Sequence, residues 1–489
     1  MITLLLILLP LLAGLVCFAL PGKTARGVAF GATLVQLVLT LWAVSRLEPG
    51  SAVDSLSVSL PWLQDFGISF SLGLDGISGL LVLLTSTLLP LILLSTFGRH
   101  DDKPASFFAL MLLMQAALVG VFEARDAVLF YFMWEAALIP VYLLAGIWGG
   151  ERRVQVTLKF FVYTVFGSLF MLVALAYLYS QTAAVLGHSS AAIADIYTVG
   201  RGLDLTGQIW IFWALFLAFG IKMPIFPLHT WQPDTYTESP APATILLSGI
   251  MLKMGIFGLI TWLLPVVPMA AKFYAPVVIF LAIIGVVYGA VIAIRQKDIK
   301  RLVAYSSFSH VGLMAAAIFT FSAEGIQGAV VQMFAHGVSV AGLFMIIDYI
   351  ERRTNTRDIL ALGGITKSAP VLTVLFLIIT LGSVALPLTS GFIGEFMMLL
   401  ALGKYNLVAA GIAGTTIIFG AVYMFVLFQG VMFGKATKLT ESFKDLTSAE
   451  TIALVPLVVL TFWIGLYPAP FLKLSEPAVL ALVNLLGGL

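Results

Sequence analysis

The chain has 489 residues, of which 61% are hydrophobic and 10% charged, and its formal net charge is +2. Soluble domains carry about 25% charged residues, so the composition excludes a soluble fold and points to a polytopic membrane protein, while a charge so near zero gives no hold on nucleic acid. Cys17 is the one cysteine, and no G-x-G-x-x-G or Walker A pattern occurs, which excludes an internal disulfide, a cysteine-ligated iron–sulfur cluster and nucleotide binding through those loops.

In chain order, apolar windows long enough to span a bilayer lie near 2–20, 28–46, 75–97, 105–122, 127–147, 157–181 and 208–226. Seven more follow near 241–264, 274–294, 302–321, 326–350, 370–402, 407–433 and 452–470. The first lacks a basic leading stretch and a small-residue cleavage site, so it reads as a retained helix rather than a signal peptide. The sequence predicts an all-α, single membrane domain over 1–489 with about fourteen transmembrane helices. Helices 7 and 12 should be broken. In the seventh, Pro224 and Pro227 closely follow Lys222, and proline removes a backbone donor and clashes with the preceding turn. In the twelfth, Pro387 stands just ahead of Gly391 and Glu395. The tail from Glu476 to Leu489 reads as a short interfacial or packed helix.

Lysine and arginine set the orientation. Loops after odd-numbered windows hold eighteen of the 26 basic residues, Arg99, Lys300, Arg301 and Lys444 among them, and the opposite side holds six. This bias places both termini outside the cytoplasm. The remaining two, Lys222 and Lys253, fall inside apolar windows. Helices 4–8 (105–264) and helices 9–13 (274–433) form blocks of equal length with a proline-broken helix fourth in each. Five crossings per block would insert them with opposite topology, the pattern of an inverted repeat with its site at the midplane.

Ionisable side chains at membrane depth cost roughly 3 kcal/mol each on insertion scales and mark ion or proton pathways. Glu135 lies well inside the fifth window, where the alternative is a structural carboxylate neutralised by burial. Lys222 stands at the helix break, with snorkelling to a headgroup as the alternative. Lys253 is near the middle of the eighth window, too deep to snorkel easily, and Gly249 and Gly255 let a neighbouring helix approach it. Glu395 follows Gly391 and Gly394, and could instead cap a half-helix N-terminus. His229, His310 and His336 fall within or beside spans and suit proton relay; helix packing explains any one of them equally well. No two share a helix face, so metal binding is not expected. His100 and His188 lie in loops and carry no assignment. Together, the acids and bases in apolar windows read as a hydrated proton path.

Several stretches resemble the antiporter-like membrane subunits of respiratory complex I. They are Glu135 with Ile139-Pro140, Gly146-Ile147-Trp148-Gly149-Gly150, Lys222-Met223-Pro224, Pro227-Leu228-His229-Thr230-Trp231, Ala241-Pro242-Ala243 and Tyr305-Ser306-Ser307. The likeness covers nearly the whole chain. Glu395 separates it from the sister subunits L and N and from Mrp antiporter subunits, which generally carry lysine there, and the chain stops without the long lateral helix of subunit L. The resemblance implies a proton-pumping subunit in a bacterial plasma membrane, with NADH oxidation and quinone reduction elsewhere. FMN, iron–sulfur clusters and quinone would then belong to partner subunits, with no cofactor in this chain, and subunits L and N would be the foremost partners. By position it implies Glu135 and Lys222 as a charge pair, Lys253 as central proton carrier, Glu395 as terminal carrier on the exit side, and His229, His310 and His336 as the intervening relay. A cation/proton antiporter or membrane-bound hydrogenase subunit of the same superfamily is the rival reading. A stand-alone transporter of an organic substrate and a structural scaffold are the remaining ones.

Overall fold

The computed structural model describes residues 1–47, 56–97 and 102–487; Arg99 and His100 lie outside them. Helices α1 (Ile2–Phe18), α2 (Gly22–Ser45), α3 (Gly76–Ser95) and α4 (Pro104–Glu123) come first. The fifth window is split into α5 (Ala127–Ala136) and α6 (Leu138–Trp148), and the long α7 (Arg153–Leu186) and short α8 (Ile193–Gly202) follow. Next, α9 (Leu205–Lys222) stops at its lysine and the chain resumes helix only at α10 (Gln232–Glu238). The eighth window comprises α11 (Ala241–Leu246) and α12 (Leu252–Gly258), with π-helical turns at Leu247–Met251 and Leu259–Leu263. Then come α13 (Pro268–Ile294), α14 (Ile299–Ile318), α15 (Ala323–Thr354), α16 (Pro370–Ser383) and α17 (Ser390–Tyr405). The last three are α18 (Leu407–Met432), α19 (Ser448–Leu466) and α20 (Ala469–Gly487).

Every apolar window holds helix, and the breaks expected at Pro224, Pro227 and Pro387 are present. Among the described residues, 12 helical segments are long and apolar enough to cross a membrane unaided, whereas α1 and α16 are apolar but shorter. Three features depart from the expectation. A hairpin, β1 (Val58–Leu63) with β2 (Ile68–Leu72), caps the end of the bundle beside α8. Its residues alternate at a period of two, a strand signal, and Gly67 makes the turn at φ +64, a backbone conformation open to glycine. The second departure is the split between α5 and α6. Pro140 cannot donate to the Ala136 carbonyl and its ring crowds that turn, so the helix breaks at Ala137. The third is α20, which starts at Ala469 rather than Glu476.

Two elements form the centre. In both the 241–263 stretch and α15, the whole of the apolar window is buried inside the chain. A helix buried all round needs small residues where backbones meet. A Cβ on Gly337 would come within 3.0 Å of the Gly249 carbonyl oxygen, so glycine at this position lets the two central helices close on each other.

The two ends of the bundle differ in charge. At one end, Arg152 pairs with Glu238, Lys159 and Arg301 with Asp234, Arg357 with Asp298, and Arg353 with Glu450. The other end carries the hairpin, α8 and α20. There Gln327 donates to the Leu472 carbonyl at one point along α20, while Leu482 and Leu485 line a cavity with Asp75, Arg125 and Tyr197 further along. The tail therefore lies packed across this end, as a helix longer than the sequence led us to expect.

Candidate functional site

The break after Lys222 is held by its own sequence. Pro224 has no N–H to offer the Gly220 carbonyl, and Ile225 N donates there instead, at 2.8 Å. That leaves the Ile221 carbonyl without a helical partner, and Trp231 Nε1 donates to it at 2.9 Å. Non-helical backbone survives at membrane depth only when its polar groups are satisfied in this way. The break packs on α12 at Gly255, where a Cβ would come within 2.6 Å of the Phe219 carbonyl oxygen and 2.7 Å of Met223 N. Lys222 is thereby fixed beside the helix that carries Lys253.

Lys222 is buried, with Nζ 5.3 Å from the centroid of the Trp134 ring, a cation–π placement. Glu135, the next residue after that tryptophan, is half-buried at the end of α5. Among the described residues the two charges make no ion pair within 4 Å. The contact that the structure gives Lys222 on this helix is the Trp134 ring, the residue next to Glu135 in the chain.

Lys253 is fully buried on the short α12 between two π-helical turns. Wide turns of this kind break the regular bonding ladder and recur at functional sites. Lys253 Nζ donates to the Ser248 carbonyl at 2.7 Å and lies 2.9 Å from His336 Nδ1 on α15. The His336 ring stands 6.0 Å, centroid to centroid, from that of His310 on α14. His310 Nδ1 in turn lies 2.8 Å from Glu395 Oε1, the same oxygen that Gln332 Nε2 meets at 3.5 Å. Four titratable groups on four separate elements thus stand in one series.

Between the two histidines lies a cavity of about 10 Å³, the size that admits a single water centre. Ser306, Ser307, Gln332 and Ser339 line it together with both imidazoles. Among the described residues Ser307 Oγ, Ser339 Oγ and Gln332 Oε1 have no hydrogen-bond partner, so the cavity wall offers the several polar contacts that a bound water needs. Tyr423 on α18 extends this wall through a 3.0 Å bond from Ser306 Oγ.

Glu395 is placed by the second break. Ala385 and Leu388 take positive φ angles of 54° and 75° on either side of Pro387, and Thr389 Oγ1 donates to the Leu386 carbonyl at 2.7 Å. Side-chain-bearing residues in that region are strained and persist where their surroundings impose them. Gly394 then fits against Gln332, whose Oε1 would be 2.5 Å from an added Cβ. This brings Glu395 to His310.

His229 lies apart from this series. Its ring stacks on Phe308 at 4.3 Å and is flanked by Phe226 and Tyr288. No hydrogen bond or ion pair among the described residues joins it to the Lys253–Glu395 series. The two intervening prolines carry it away from the face that its spacing from Lys222 would otherwise give. Conversely, Trp134, Ser339 and Tyr423 belong to the site without having been singled out from the sequence. Trp134 had a signal, since it directly precedes Glu135, but Ser339 and Tyr423 are ordinary residues of apolar helices. No cluster of three or more metal-ligating side chains occurs among the described residues.

Comparison with known proteins places this geometry in a family. Residues 124–461 match the family model described as NADH:quinone oxidoreductase/Mrp antiporter, transmembrane. NADH-quinone oxidoreductase subunit M of Rickettsia conorii is 38% identical over 453 residues, covering 92% of this chain and 91% of that protein. Its namesake from Rhodobacter capsulatus is 35% identical over 474 residues, covering 94% and 91%. A chain in the structure of respiratory complex I from Thermus thermophilus with bound NADH superposes with a TM-score of 0.91 at 32% identity, covering 100% of both chains. The Mrp complex from Dietzia shares the fold, at a TM-score of 0.85 and 20% identity over 99% of this chain and 97% of that one. With its lysine, two histidines and glutamate aligned through a lipid-free centre, the chain belongs to the NADH:quinone oxidoreductase/Mrp antiporter transmembrane family, in its subunit M branch.

Proposed function

We propose that this chain is a proton-translocating subunit of the complex I membrane arm, driven by NADH:quinone electron transfer in partner subunits. One observation carries the reading: Lys253, His336, His310 and Glu395 follow one another through the interior at distances a proton can cross directly or through one water. Lys253 is the central carrier, the two imidazoles with the cavity between them are the relay, and Glu395 is the terminal carrier. Glu135 and Lys222 form the switch that acts on Lys253. At an effective dielectric near 20, a unit charge 6–8 Å away is worth about 2–3 kcal/mol, enough to load and then discharge a proton. His229 stands outside the relay.

The excess of basic residues at one end orients that end to the cytoplasm and both termini to the other side of a bacterial plasma membrane. FMN, iron–sulfur clusters and quinone are held by partner subunits, and subunits L and N are the neighbours in the membrane. Residues 105–264 and 274–433 are inverted repeats. In support, Lys222 and Glu395 each sit at a break four helices into their block. Within the family, glutamate rather than lysine at 395 favours the complex I role over a separate cation/proton antiporter.

The test is Lys253→Met in the assembled complex, reconstituted in proteoliposomes. Protons moved per NADH oxidised should fall well below the wild-type value; an unchanged ratio would remove Lys253 from the path and overturn the assignment.

A further inference from the structure

Lys300 is a third lysine sealed inside the chain, and the path just proposed leaves it unused. It lies in the first turn of α14, 3% exposed, and its Nζ donates to the Ser239 carbonyl at 2.5 Å. No carboxylate pairs with it within 4 Å among the described residues. The surrounding acids are engaged elsewhere: Asp298 and Glu351 by Arg357, and Asp348 by Arg352. A lysine ammonium carries three donors, and one acceptor accounts for only one of them.

Its position gives that arrangement a purpose. Outward, at the basic end, Asp298, Glu351 and Arg357 line an open polar depression of about 420 Å³. Inward along α14, Val303 and then Ser306, Ser307 and His310 line the cavity between the histidines. Lys300 therefore stands on α14 between Asp298, which lines the depression, and Val303, one helical turn further along, which lines the cavity. Val303 and Leu343 of α15, both buried, form that end of the cavity wall.

We propose that Lys300 is the loading residue of the proton path, taking protons from the depression and delivering them to the cavity at Ser306 and Ser307. The neutral amine accepts a proton from water in the depression, and the resulting ammonium gives one to water at the serine hydroxyls. Only N–H and O–H bonds are exchanged and one proton advances per cycle, so no further reactant is required. Its bond to Ser239, at the end of α10, ties this step to the second half of the broken seventh helix, whose first half ends in Lys222. Movement at the Glu135–Lys222 switch thus has a route to the entrance as well as to Lys253.

This inference rests on the proton-path reading, and the test separates the two. Lys300→Arg, Lys300→Met and Lys300→His are compared with Lys253→Met in the complete complex, by assembly on native gels and by protons moved per NADH in proteoliposomes. Arginine keeps the charge and the donor to Ser239 but does not release its proton. We expect Lys300→Arg to assemble and to lose pumping to the level of Lys253→Met. Lys300→Met should lose it as well, and Lys300→His should retain some, with pumping failing at a lower pH than in wild type because imidazole titrates well below an amine. Normal pumping by Lys300→Arg beside an inactive Lys253→Met would make Lys300 a cap for α10 and overturn this inference alone. Equal pumping by the Met and His variants would do the same, as would failure of all three to assemble. Normal pumping by Lys253→Met would instead sink the underlying path.

Discussion

At the scale of single residues, the Lys253–Glu395 series consists of two close contacts, of 2.9 and 2.8 Å, and one gap at a water-sized cavity. Removing a general acid–base group from such a series should slow proton flux by about 10²-fold, the low end of what that chemistry contributes. His336→Leu, measured as proton flux in proteoliposomes, should show a loss of that order, because among the described residues the other hydrogen-bond partner of Lys253 Nζ is the Ser248 carbonyl, an acceptor that carries no proton. His229→Phe should leave flux within about twofold of wild type, since phenylalanine fills an aromatic cage and the acid–base contribution is absent there. These residues were legible to different degrees. Glu135, Lys222, Lys253 and Glu395 announce themselves because a charge in an apolar window is costly. The histidines could not be ranked from spacing alone, and the structure divides them by packing: two face a polar cavity and one faces three aromatic rings.

At the scale of elements, the breaks position the charges, and their cost is covered by specific partners. Trp231→Phe removes the donor to the Ile221 carbonyl and leaves a buried polar group unmet, which costs about 1–3 kcal/mol. Thermal unfolding of the detergent-solubilised complex should register that as a lower midpoint. Gly255→Ala would press a methyl group to within 2.6 Å of backbone at the break, and overpacking of this kind costs about 1–3 kcal/mol; the same measurement should show it, together with lowered pumping because Lys222 shifts. The breaks after Lys222 and before Glu395 were visible in the sequence because prolines sit in apolar windows. Pro140 gave the same signal in the fifth window, but a single proline can kink a helix without ending it, and its effect depends on the turn it meets. The π-helical turns around Lys253 have no local signature at all. They follow from packing among α9, α15 and the glycines at 249 and 255, a tertiary cause that propensity does not carry. The hairpin carries only a short period-two alternation, which two long apolar windows on either side outweigh.

At the scale of the whole molecule, two chemically different ends give the orientation a direct check. Asp65 in the hairpin connection and Lys438 after α18 are both exposed, at opposite ends, and the native Cys17 is buried. A membrane-impermeant maleimide should label Asp65→Cys in intact cells and Lys438→Cys only after the membrane is opened; the reverse pattern would invert the topology.

The elements that carry Lys253 and His336, the 241–263 stretch and α15, occupy the centre and meet neighbouring helices on every side. By contrast α2, α7, α18 and other peripheral helices present Trp42, Phe166 and Ile418 outward, toward lipid or neighbouring subunits. Adjustments to bilayer thickness, by tilt or by local thinning at fractions of a kcal/mol per Å, therefore fall on the outer ring. The contact between Lys253 and His336, held between the two enclosed elements, is thereby insulated from hydrophobic mismatch, and its distance should hold as acyl chain length varies.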